Sequence, residues 1–175
     1  MRRGTSVLFE PETGFMERAV QLALAAEARG NLAIGALITL ATDGHSEVIG
    51  EGQNAILRPH YDPGRHAEVE AIRSIRHELW PRARAMTCYT TLEPCVMCMG
   101  TLLLHGVRRV VFGARDSEGG ASHVLAYLPP YYRNGPQQPA MEWVGPVLPD
   151  RCDELYQRAR DRFKHLPCAI WQQHK

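Results

Sequence analysis

Two short stretches hold residue types that can do chemistry together: His66-Ala67-Glu68 and Pro94-Cys95-Val96-Met97-Cys98. Each falls at the predicted start of a helix. Cysteines at i and i+3 share one helical face, so both sulfurs can reach one metal ion. A helix N-terminus favours the thiolate, which is the form that binds zinc. His66 offers a third ligand from the facing helix, and two thiolates with an imidazole suit zinc better than magnesium or calcium. A lone C-x-x-C also occurs in redox pairs and as half of a zinc finger. No second C-x-x-C is present here, and the upstream His-Ala-Glu fits neither.

Three protein ligands leave one tetrahedral position open, as in catalytic zinc sites. Cys88 is the residue to close it, but an extended strand would place it about 20 Å from Pro94. Water is the better fourth ligand. Glu68 is two positions from His66, and i,i+2 side chains do not share a helical face. Its longer side chain is expected to curl over the helix end toward that water instead. Zinc lowers the pKa of a bound water to about 7, and Glu68 is placed to take its proton and pass it on. That is hydrolytic machinery.

The elements that must position these residues follow from the apolar periodicity. Residues 13–28 read as a helix after a Thr13 cap, with Phe15, Ala19, Leu22 and Ala26 at helical spacing. Ile34 to Leu40 and Glu47 to Gly52 read as a hairpin around Asp43-Gly44. A loop at 58–64 precedes a helix from His66 to Leu79, whose apolar face is Val69, Ile72, Ile75 and Leu79. Residues 86–92 form a strand, and Pro94 opens a helix to about Leu104 that is apolar almost all round and expected to be buried. Val107 to Phe112 and the Trp143-Val144 pair are further strands. Residues 128–139 form a Pro-rich loop. Asp150 caps a last helix with Cys152, Leu155, Tyr156, Ala159 and Phe163 on its apolar face. Helices alternating with strands indicate one α/β domain, with a loose leader at 1–12, the domain at 13–165 and a tail at 166–175.

Composition bounds the rest. The 175 residues carry 20 Lys plus Arg against 19 Asp plus Glu, a formal charge of +1. That length suits one domain able to bury about 70% of its unfolded surface. At 45% hydrophobic and 22% charged, the chain is not a disordered polyanion or polycation. No apolar run reaches the roughly 18 residues of a membrane span, and Val7 to Phe9 is too short for a signal peptide. The cytoplasm is the expected compartment. Five cysteines without a secretion signal point to metal binding, with Cys88, Cys152 and Cys168 as packing.

The pattern H-x-E followed by P-C-x-x-C is the signature of zinc nucleobase deaminases. The chain resembles the cytidine deaminase-like superfamily, in the branch of tRNA adenosine deaminases, guanine deaminases and fungal-type cytosine deaminases. The resemblance rests on the stretches Asp62 to Glu68, Thr90 to Gly100 and Arg109 to Asp116, with Gly50-Glu51-Gly52-Gln53-Asn54. It implies a three-layer α/β/α fold around a five-stranded mixed sheet, usually in a homodimer, with one zinc ion per subunit. It also implies that His66, Cys95 and Cys98 hold the zinc, that Glu68 is the catalytic acid and base, and that Asn54 hydrogen-bonds the target base. Ala67 and the backbone of Leu92, Glu93 and Pro94 are then expected to line the pocket, with Asp116, His123, Tyr131 and Tyr132 at its border.

Two substrates remain open. Near-neutrality favours a free base or nucleoside, and the stretch Gly119-Gly120-Ala121-Ser122-His123 departs from the usual pattern of the tRNA enzymes. The alternative is tRNA, for which Arg151, Arg158, Arg160, Arg162 and Lys164 of the last helix are either a phosphate-contacting run or a solvated face. A zinc-stabilised binding protein without catalysis is a third possibility, against which the presence of Glu68 argues.

Overall fold

Asp43 and Gly44 turn the chain at φ 48° and 84°, the left-handed conformation of a two-residue hairpin. They join β1 (Gly35–Thr42) to β2 (His45–Gln53), paired from Thr42↔His45 to Gly35↔Gln53 with one bulge beside Ile38. β3 (Met86–Leu92) pairs antiparallel with β1; β4 (Arg109–Ala114) and β5 (Glu142–Val144) then add in parallel. The order β2-β1-β3-β4-β5 is the expected five-stranded mixed sheet. These positions come from a computed structural model that describes residues 9–107, 109–134 and 141–164. Residues 1–8 of the expected leader, the tail at 166–175 with Cys168, and 135–139 of the Pro-rich loop lie outside the described residues.

Strand side chains alternate between faces, and here both faces are covered. Leu37, Tyr89 and Val111 meet α1 (Thr13–Ala28) and α5 (Pro149–Lys164). Ala36, Ile38, Cys88 and Val110 meet α2 (Ala67–Arg73) and α3 (Val96–His105). The depth of α2 is set by Gly52, where a Cβ would stand 2.0 Å from the Ala67 carbonyl oxygen. Only hydrogen at that position lets the helix carrying Glu68 lie this close to β2.

Several boundaries differ from expectation. The cap of α1 is Glu12, not Thr13. α5 begins at Pro149, so Asp150 sits in its first turn, where a negative charge suits the helix dipole. The helix expected over 66–79 stops at Arg73. There Ser74 Oγ donates to the Ala71 carbonyl at 2.8 Å and accepts from Glu51 N at 2.9 Å. A serine hydroxyl competing with the backbone in this way favours a helix end. The chain continues as 3₁₀ turns over His77–Ala85, and Ile75 and Leu79 still pack in the core. Nor is α3 buried all round: Val96, Met97 and Leu104 are 55%, 41% and 56% exposed. Its other sides meet the sheet and the 3₁₀ segment Ala121–Tyr127, and this third side faces outward. Among the described residues, no helix is long and apolar enough to cross a membrane.

Candidate active site

β2 and β3 both run antiparallel to β1, so Gln53 and Leu92 end at the same edge of the sheet. α2 and α3 begin just beyond that edge. His66 and Cys95 are their N-cap residues, in extended conformation (φ −72°, ψ 154° and φ −72°, ψ 172°), and neither side chain caps its own helix. The two side chains meet instead. Cys95 Sγ lies 3.7 Å from His66 Nδ1 and 3.6 Å from Cys98 Sγ. All three donor atoms fall within 4.8 Å of one another, and no other such group occurs among the described residues. Zinc bonds of about 2.3 Å to sulfur and 2.0–2.1 Å to nitrogen, in a tetrahedron, place sulfurs about 3.8 Å apart and sulfur from nitrogen about 3.6 Å. Cys95 already stands at those separations from both His66 and Cys98. Cys88 is a fully buried core residue outside this group.

The protons of the cluster are coupled. The hydrogen bond with Cys98 brings the Cys95 thiol down to about 4 against the opposing effect of burial, with further help from His66. Cys98, in contact with the Cys95 sulfur and itself buried, is pushed up. For His66, burial acts downward, but the Cys95 hydrogen bond and charge outweigh it and raise the imidazole. A thiolate against an imidazolium is a preformed metal-binding pair that releases protons when a cation displaces them.

Glu68 is 3% exposed in the first turn of α2. Its Oε2 accepts from Cys98 Sγ at 3.3 Å and its Oε1 from Thr90 Oγ1 at 3.1 Å. Burial pushes this carboxyl up, with His66 opposing. It therefore reaches over the helix end to the ligand cluster, as its length requires. Thr90 is not among the site residues expected from the sequence. The signal for it is the period of two in β3, which puts Thr90 on the same face as Cys88.

Asn54 follows β2 and is 1% exposed. Its Oδ1 accepts from Leu32 N and Ile56 N, both at 3.3 Å. Its Nδ2 is the single buried side-chain nitrogen or oxygen among the described residues without a hydrogen-bond partner. A buried donor left unpaired costs about 1–3 kcal/mol, so this amide is fixed on one side and unspent on the other. Ala67 is the buried first residue of α2, and Leu92 is half-buried at the end of β3.

Glu93 is committed inward. It is 2% exposed, and its carboxylate accepts from Asp116 N (3.0 Å), Ser122 N (3.2 Å) and Trp143 Nε1 (3.4 Å). The next residue, Pro94, accepts from Ala121 N at 2.9 Å. The turn bearing Cys95 is thus bolted to residues 116–122. Asp116 in turn accepts from Glu118 N, Gly119 N and Tyr156 Oη, the last at 2.8 Å from α5. His123 is exposed on the 3₁₀ segment. Tyr131 is 68% exposed and meets Tyr132 edge-on, and Tyr132 packs in the cluster of Met99. No hydrogen bond or ring contact among the described residues joins His123 or Tyr131 to the ligand cluster.

A layered α/β fold that sets an imidazole, two thiols and a buried carboxylate at one sheet edge defines a zinc-type hydrolytic enzyme. Residues 10–114 match the model of the cytidine and deoxycytidylate deaminase zinc-binding region, and the chain belongs to that family. It is accordingly a deaminase, a hydrolase acting on C–N bonds of nucleobases or nucleosides. It is 34% identical over 155 residues, 85% of each chain, to the tRNA-specific adenosine deaminase of Haemophilus influenzae. It is 29% identical to a probable cytosine deaminase of Schizosaccharomyces pombe, covering 82% of this chain and 88% of that one. A solved structure from work on A-to-I editing by tRNA:A34 deaminases at the wobble position superposes with a TM-score of 0.65 at 30% identity. That match covers 82% of this chain and 99% of the other.

Proposed function

We propose that this chain deaminates adenosine to inosine in tRNA. The observation that carries this reading is the likeness to a tRNA-specific adenosine deaminase along 85% of both chains, so the segments around the site are shared as well as the metal motif. It displaces the expectation of a free base, which rested on a net charge of +1 and on the departure of Gly119 to His123 from the tRNA-enzyme pattern. Net charge describes the whole surface and not the local field at one mouth.

His66, Cys95 and Cys98 would hold the zinc ion. When bound there, zinc supplies Lewis acidity and lowers the pKa of water. Glu68 carries the protons: its buried carboxyl, pushed up by desolvation, takes one proton of the attacking water to the ring nitrogen and then carries the second to the exocyclic amine, which leaves as ammonia. Thr90 holds that carboxylate in place while it does so. Asn54 Nδ2 donates to an acceptor on the base, using the one hydrogen bond its surroundings leave unmade. Water enters, the exocyclic C–N bond breaks, ammonia leaves and a carbonyl remains.

We further propose a cytoplasmic homodimer, with exposed Val96, Met97 and Leu104 of α3 in the contact. Burying such apolar side chains favours association.

A second reading, deamination of a free pyrimidine base, is favoured by the cytosine deaminase relative, which is matched over 88% of its length. An ammonia-release assay with tRNA, adenosine, cytosine and guanine in parallel decides between them. The proposal expects turnover on tRNA and none on the free bases. Turnover on cytosine alone overturns it.

A further inference from the structure

The last helix carries a basic run, and the structure sorts its members. Arg158 pairs with Glu27 and Glu154, Arg160 with Glu118 and Lys164 with Asp161. Those charges are spent within the protein. Arg162 has no carboxylate partner among the described residues, and its Nη2 lies 3.6 Å from where a Cβ on Gly30 would stand. Within 3.9 Å of that same point lie Cγ and Nε of Arg58, a second arginine without a carboxylate partner among the described residues. The two come from segments more than a hundred residues apart. Arg29, at the end of α1, hydrogen-bonds only the neutral Gln53, with Nη1 to Oε1 at 2.6 Å. Two exposed guanidinium side chains thus meet over Gly30, with Arg29 next to it in the chain, and none of the three has a carboxylate partner among the described residues. Like charges gathered in this way raise one another's energy unless an anion joins them.

The cluster is built onto the loop that carries Asn54. Asn31, itself 4% exposed, accepts from the backbone N–H groups of Leu57 and Arg58, each at 2.9 Å. Asn54 locks the same loop two residues earlier through Ile56 N. Two buried asparagines therefore fix the backbone between Asn54 and Arg58, whose Cα atoms, four residues apart, are separated by at most about 14 Å. A groove of about 710 Å³ runs past Arg29, Asn31, Asn54, Arg58, Arg65 and Arg73. Arg65 and Arg73 share the carboxylate of Glu70 at the other end of the groove, where Glu51 also lies.

We infer that Arg29, Arg58 and Arg162 bind the phosphates of an RNA strand whose target base lies at Asn54. This rests on the reading of the chain as an RNA deaminase and adds the surface that holds the strand. Guanidinium forks match phosphate oxygens, and their position beside the base site suits the nucleotides flanking an unstacked base.

The test uses the zinc-loaded full chain and an anticodon stem-loop RNA with adenosine at the wobble position. Binding is followed by fluorescence anisotropy and deamination by inosine formation, each across a salt series. In Arg58→Glu/Arg162→Glu, the dissociation constant and KM should rise at least tenfold, with the loss on KM and not on kcat. The slope of log affinity against log salt should fall by about 0.7 for each single-strand phosphate contact removed. Arg58→Lys/Arg162→Lys should keep most of that slope. If the stem-loop binds and reacts but the double glutamate variant matches wild type, the surface assignment fails. If the stem-loop binds through these arginines but is not deaminated, the surface stands and the substrate reading fails. If wild type does not bind the stem-loop at all, both fail.

Discussion

Thr90 Oγ1 donates to Glu68 Oε1 at 3.1 Å, and Cys98 Sγ donates to the other oxygen of the same carboxylate. The Thr90 hydrogen bond is the one that can persist when Cys98 gives up its proton to hold a metal. Hydrogen bonds to charged groups are worth about 1.5–3 kcal/mol. We expect Thr90→Val, nearly the same shape without the hydroxyl, to lower kcat at least about tenfold with zinc content unchanged. Thr90→Ser should restore most of the rate. Equal kcat in wild type and Thr90→Val would remove the hydroxyl from the mechanism.

Proton carriage and metal binding separate cleanly by substitution. Glu68→Ala should retain zinc and lose at least about 100-fold in kcat, the scale of acid–base catalysis. Cys95→Ala should lose the metal, with a lower Tm, because binding to the folded state stabilises it. Elemental analysis and turnover on the same samples check both. Zinc retained at one per chain in Cys95→Ala would sink the ligand assignment.

Glu93 holds three N–H donors from three segments, two of them backbone. Each buried donor left unpaired costs about 1–3 kcal/mol, so Glu93→Ala should lose at least about 3 kcal/mol in urea unfolding. Glu93→Gln keeps an acceptor while turning an NH₂ toward at least one donor, and should cost less than the alanine variant. A urea midpoint for Glu93→Ala equal to that of wild type would mean that residues 116–122 are held some other way.

Glu70 lies between Arg65 at 2.7 Å and Arg73 at 2.9 Å. The Arg65 hydrogen bond, against a smaller upward push from burial, holds its carboxyl below the usual range. A depressed folded pKa gives stability that is present above the unfolded value, about 4.3, and is lost as pH falls through the folded value. Glu70→Gln should therefore lower Tm at pH 7 and converge with wild type near pH 3. A constant gap across that range would show that the effect is packing and not charge.

The ligand set was legible because it is local. His66 and the Cys95–Cys98 pair are each defined within a few residues, and a metal joins what helix starts present. The five strands were legible from short apolar and β-branched runs bounded by turn residues, with ends shifted by at most two residues. What the sequence hid depends on contacts between distant segments. Thr90 is an ordinary strand threonine until α2 lies across it, and Arg58 and Arg162 meet only because α1 ends between them. The stop of α2 at Arg73 depends on Ser74 having Glu51 as a neighbour. Which side of α3 faces outward is hidden in the sequence because its apolar residues read alike whichever way they face.

The Asp43-Gly44 turn lies at the far end of β1 and β2 from Asn54, about eight residues or roughly 26 Å of strand away. Its residues are exposed and the chemistry is gathered at the other edge. The hairpin is thus a handle: an affinity tag, a fluorophore or a fused RNA-guiding module grafted there would ride on the sheet without touching the mouth of the enzyme.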